Sequence, residues 1–113
     1  MPQDDLPPLV KRSLQRFIRA FAPERILLFG SYAKGKNTAR SDVDMLIVAD
    51  LPGKPESHNR RARQLSSDCF PRIDVVFATP QEVLRADAAR SPFLLSILGT
   101  GVEVYRRGED AEL

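Results

Sequence analysis

The sequence predicts an α/β domain in which helices alternate with four short strands along 113 residues. Three observations carry that expectation. Apolar residues recur at helical spacing over residues 6–21, and short apolar runs at 25–29, 43–49 and 72–78 read as strands. Proline-marked helix starts then appear at Thr79-Pro80 and Ser91-Pro92. Domains typically run ~100–200 residues, so the chain makes one domain. Its 42% apolar residues suffice for one modest core.

The first helix is expected over Leu6 to Phe21, where Leu9, Val10, Leu14, Phe17, Ile18 and Phe21 share a face. Pro7 and Pro8 fit only its first turn, and Pro23 stops it. Arg25 to Phe29 is a strand ended by Gly30; Ser31 to Gly35 is expected to begin a short helix, and residues 36–41 form a polar loop. A second strand follows to Ala49, then a Pro/Gly turn and a strongly polar helix over Glu56 to Asp68. The third strand, Arg72 to Ala78, puts Ile73, Val75 and Phe77 on one face and Asp74, Val76 and Ala78 on the other. Thr79 caps a helix expected to reach Ala89, Ser91 caps one closed by Gly99 and Gly101, and Val102 to Tyr105 reads as an edge strand. The apolar stretch Phe93 to Leu98 suits core packing, with partner docking as the alternative.

Composition excludes several classes. No stretch approaches the ~18 apolar residues of a membrane span, and the N-terminus has no signal-peptide pattern. The single cysteine, Cys69, cannot form an internal disulfide and reads as a small buried hydrophobe, so a cytoplasmic location is expected. A net charge of +2 is too weak to indicate nucleic-acid binding. The cluster Arg60, Arg61 and Arg63 reads as a solvated helix face, with a phosphate contact as the alternative, and His58 as a surface residue.

Chemistry concentrates elsewhere. Gly30-Ser31 is followed, after a ten-residue spacer, by Asp42-Val43-Asp44 at the start of the second strand. Alternate strand residues share a face, here about 7 Å apart along the chain. Two such anions shift their pKa values or bind metal, and metal is the favoured reading. Asp74 interrupts the third strand; it either pairs with Arg72 or Arg25 or joins Asp42 and Asp44 in an oxygen-rich site suited to a hard cation such as Mg²⁺. A glycine-ended strand with N–H groups behind it suits an anion, with Ser31 as a donor and Lys34, Lys36 and Arg40 as positive charge.

Gly30-Ser31, Ala33, Gly35, the Ser41-Asp42-Val43-Asp44 step and Asp74 together resemble the signature of the nucleotidyltransferase superfamily related to DNA polymerase β. Length and element order resemble its minimal members, the MNT proteins, which include MntA-like antitoxins of HEPN/MNT toxin–antitoxin pairs. The resemblance spans residues 6–105 as a single nucleotidyltransferase domain and leaves 106–113 as a charged tail. It implies a mixed sheet flanked by helices and transfer of AMP from ATP to a hydroxyl of a partner protein, a HEPN-type toxin. It further implies two Mg²⁺ ions held by Asp42, Asp44 and Asp74, and a triphosphate held by Gly30, Ser31, Lys34 and Arg40. Tyr32 departs from the basic residue many relatives carry. Two alternatives stand beside this reading. One is a nucleotidyltransferase for a small molecule or RNA with a separate acceptor-binding subunit; the other is a non-catalytic neutralising partner.

Overall fold

The computed structural model describes residues 6–35, 42–85 and 91–108. Within them the chain runs α1 (Pro8–Phe21), β1 (Arg25–Phe29), β2 (Val43–Val48), α2 (Pro55–Leu65), β3 (Ile73–Ala78), α3 (Pro80–Leu84), α4 (Pro92–Thr100) and β4 (Val102–Arg106). The strands form one mixed sheet in the order β3-β2-β1-β4. β1 is antiparallel to β2 and β4, while β2 and β3 are parallel, joined by the crossover helix that parallel pairing requires. The expected fold class is the observed one.

The strand alternation sorts the core into two layers. Met45, Ile47, Ile26, Leu28 and Ile73 face α1 and α2, packing with Val10, Leu14, Phe17 and Phe21. Leu27, Leu46, Val48 and Ala78 face the other way and meet Ile97 of α4. The second layer is thinner: α4 buries only Ile97, and Leu84, Phe93 and Leu95 are exposed. Phe93 still meets Phe29 edge-on at 5.8 Å, so Phe93–Leu98 is part core and part open surface.

Several boundaries differ from expectation for local reasons. α1 begins at Pro8, with Pro7 extended before it, although Leu6 is buried. α2 ends at Leu65, three residues short of Asp68. Ser66 turns both its N–H and its hydroxyl back to the Ala62 carbonyl, and Asp68 is drawn to Arg12 and Arg16 of α1, each at 2.8 Å. α3 starts where expected, on a reciprocal capping box between Thr79 and Glu82, but ends at Leu84; residues 86–89 of the longer expected helix lie outside the described residues. Ser31 to Gly35 form hydrogen-bonded turns rather than a helix, with Lys34 N–H on the Gly30 carbonyl. β4 continues through Arg106, whose guanidinium returns to Glu103, so Arg106 belongs to the sheet and not to a tail.

His58 is half-buried, its ring 5.9 Å from that of Phe77, rather than a plain surface residue. Cys69 is half-buried, donates to the Pro71 carbonyl at 3.3 Å, and burial pushes its thiol pKa up, which disfavours the thiolate. Among the described residues no helix is long and apolar enough to cross a membrane.

Candidate active site

The sheet register assembles the site. Asp44 stands directly opposite Asp74 on the parallel neighbour β3 and opposite Phe29, the last residue of β1. Strands of a sheet lie ~4.8 Å apart, so Phe29, Asp44 and Asp74 form a row across three strands at one end of the sheet, with Gly30 just beyond the end of β1. Asp44 shares its face with Leu46 and Val48, and Asp74 shares the same face with Val76 and Ala78. Asp42 precedes β2 and is exposed.

Gly30 is tied to Asp44 more tightly than the sequence suggests. It adopts φ +74°, and a Cβ there would run into Asp44 Oδ2 and sit 3.4 Å from its Cγ. The glycine thus supplies a left-handed turn and the space the carboxylate occupies. Burial comes first among the causes that raise the Asp44 pKa above the ordinary carboxylate value, followed by the charges of Asp74 and Asp42. Asp44 thus carries a burial cost together with the repulsion of two acidic neighbours.

Among the described residues Asp74 pairs with Arg72 at 3.1 Å. The other sequence candidate, Arg25, is engaged with Glu103 at 3.1 Å. The Arg72 side chain is 72% exposed and that of Asp74 is 42% exposed. Pairs so open to water contribute ~0–1 kcal/mol, so exchanging Arg72 for another cation costs Asp74 little. Among the described residues no group of three or more His, Cys, Asp or Glu side chains is placed to hold a metal ion. The donor set nonetheless fits a hard divalent cation: all three side chains offer carboxylate oxygens, and a cation relieves the repulsion that raises Asp44.

The phosphate side is described in part. Ser31 follows Gly30 in the turn and is half-buried, and Lys34 is exposed with no ion-pair partner among the described residues. Tyr32 packs against the larger core layer. Lys36 and Arg40 lie outside the described residues. Of the α2 arginines, only Arg63 lines a hollow beside Asp74, together with Asn59 and Arg72. Helical spacing of 59, 62 and 63 was the available signal, but it acquires meaning only once α2 is laid along β3.

Residues 12–110 match the profile of the family described as Polymerase beta, Nucleotidyltransferase. A curated relative named as a candidate protein adenylyltransferase, from Methanocaldococcus jannaschii, is 38% identical over 47 residues, covering 36% of this chain and 47% of the relative. The chain therefore aligns with about half the length of that relative. Among solved structures, a toxin–antitoxin crystallised with AMP-PNP is similar at TM-score 0.58 and 21% identity, over 88% of this chain and 76% of the other. A nucleotidyltransferase candidate from Sulfolobus solfataricus is similar at TM-score 0.55 and 21% identity, over 93% and 84%. A mutant MntA-HpeT toxin–antitoxin is similar at TM-score 0.54 and 24% identity, over 88% and 74%. These structures share the fold. With a profile match running from α1 past β4, over Gly30, Asp44 and Asp74, the chain belongs to the polymerase-beta nucleotidyltransferase family.

Proposed function

We propose that this protein transfers AMP from ATP to a hydroxyl group of a partner protein, and that the partner is a HEPN-type toxin which the modification silences. The observation that carries the reading is the pairing of Asp44 with Asp74 across β2 and β3, beside Gly30, with Asp44 raised by burial and by its two acidic neighbours. Clustered carboxylates cost stability, and a purely neutralising scaffold gains nothing from keeping them. The relative named for protein adenylylation and the toxin–antitoxin neighbours support the choice of a protein acceptor.

In this reading Asp42, Asp44 and Asp74 would hold Mg²⁺. When bound, the metal supplies positive charge that orients the triphosphate and offsets charge developing at the reacting phosphorus. Backbone N–H groups after Gly30 and the Ser31 hydroxyl bind the outer phosphates, and Lys34 and Arg40 neutralise the leaving group. The acceptor oxygen bonds to the α-phosphorus as the bond to the β-phosphate oxygen breaks. Pyrophosphate departs, and the hydroxyl proton passes to Asp74. Chemistry of this kind rests mostly on positioning and electrostatics.

The test incubates the chain with labelled ATP, Mg²⁺ and a candidate HEPN-domain partner protein. A mass gain of AMP on that partner, absent with Asp44→Asn, is the expected result. A tight complex with no mass gain sinks the catalytic reading and leaves the scaffold.

A further inference from the structure

β3 is an edge of the sheet, and it carries Asp74. The Arg72 and Ala78 carbonyls accept from Val43 N–H and Ala49 N–H on the β2 side. Backbone groups alternate in direction along a strand, so Ile73, Val75 and Phe77 turn theirs to the outer edge. Among the described residues no strand pairs there. Open space adjoins this edge at the Asp74 end. A hollow of about 260 Å³ between α2 and β3 is lined by Asn59, Arg63, Arg72 and Asp74. A second, of about 330 Å³, shares Arg63 and Arg72 and reaches Ser67 and Cys69. Arg63 is exposed and has no ion-pair partner among the described residues, and Arg72 has only the solvent-open bridge to Asp74.

We propose that the outer edge of β3 is the acceptor-docking site. An extended, acidic segment of the acceptor protein adds there as a fifth strand, with its carboxylates on Arg63 and Arg72 and its hydroxyl beside Asp74. The inference rests on the proposed function and names the chemistry of the partner. Strand addition takes affinity from main-chain hydrogen bonds, which a polypeptide supplies and an RNA does not. Single-stranded RNA sites combine a basic groove with aromatic platforms, and no aromatic side chain lines either hollow. The guanidiniums select acidic residues. A peptide carboxylate arriving on Arg72 also replaces Asp74 there and releases it toward the nucleotide, so docking completes the site.

The test is a direct binding measurement without nucleotide or metal. Its probe is a fluorescein-labelled eight-residue peptide of alternating valine and glutamate around a central serine. The wild-type chain binds it at least tenfold more tightly than the same peptide with lysine for glutamate, and more tightly than an eight-nucleotide oligouridylate. Arg63→Glu weakens binding at least tenfold and Arg63→Lys restores most of it. Backbone N-methylation of the alternate residues that face β3 abolishes binding, whereas methylation of the other set changes it less than twofold. Equal binding of both charge forms, insensitivity to Arg63→Glu, equal effects of the two methylation patterns, or tighter RNA binding would each overturn the proposal. The two readings fail separately. A chain that binds the peptide in this way yet transfers no AMP refutes the functional reading alone. One that transfers AMP to its partner with an acceptor KM unchanged by Arg63→Glu refutes strand docking alone.

Discussion

At Asp44 burial and two like charges act on one carboxyl. Its pKa is raised, so the folded state holds the proton more tightly than the unfolded chain, and ionisation costs stability once pH rises above the unfolded value of 3.8. Asp44→Asn is expected to abolish transfer, at least 10³-fold, yet to raise Tm at pH 7 by ~2–5 °C, under ~1 kcal/mol for a domain of this size after allowance for solvent screening. The gain should vanish below pH 3.8, where the aspartate is protonated in both states. Thermal melts of both forms across pH check the sign. Gly30→Ala places a methyl group against the Asp44 carboxylate on a left-handed backbone. The backbone alone costs ~1–2 kcal/mol, so both denaturant stability and transfer should fall. Ser31→Ala leaves the fold intact and should raise the ATP KM about tenfold with little change in kcat, read from steady-state kinetics. Wild-type ATP affinity in that variant removes Ser31 from the phosphate site.

At the level of elements, charge ties β4 into the sheet. Glu103 receives Arg106 and Arg25, and its pKa is lowered first by the Arg106 hydrogen bonds and then by Arg25. A lowered carboxyl pKa stabilises above the unfolded value of 4.5 and loses that contribution as pH falls through the folded value. Glu103→Gln should therefore cost ~0.5–1 kcal/mol at pH 7, as for partly exposed networks. The difference from wild type should close in acid, as urea titrations at pH 7 and pH 3 would reveal. The helices follow local chemistry where that chemistry is strong. The Thr79–Glu82 box starts α3 where the sequence indicates, whereas α2 stops early because Asp68 finds two arginines on another helix. No local rule contains that long-range pairing.

For the whole molecule, the two sheet faces are unequal. Phe17 is fully buried in the α1/α2 layer, and Leu84 is 84% exposed on the α4 side. Phe17→Ala should cost ~3–5 kcal/mol, a large share of the ~5–15 kcal/mol that holds a domain. Leu84→Ser should stay within ~0.5 kcal/mol. Chemical denaturation of the pair measures how much of the fold the thicker layer carries. The end of the sheet that carries Asp44 and Asp74 faces the thinner layer and adjoins the β3 edge, with which no strand pairs among the described residues.

By itself the sequence determined the types of the four described helices and four strands and the β1 boundaries, though not the turns at Ser31 to Gly35, because apolar periodicity and Pro/Gly stops act over a few residues. It also led to the expectation that Asp42 and Asp44 share a face, since strand alternation has period two, although Asp42 precedes β2. Only the tertiary structure decided that β3 pairs parallel to β2 with Asp74 opposite Asp44, that Gly30 makes room for the Asp44 carboxylate, and that Arg63, but neither Arg60 nor Arg61, lines the hollow that Asp74 also lines. Those facts are distances between strands and helices far apart in the chain. They are set by how the two faces of the sheet bury apolar surface, which no local pattern encodes.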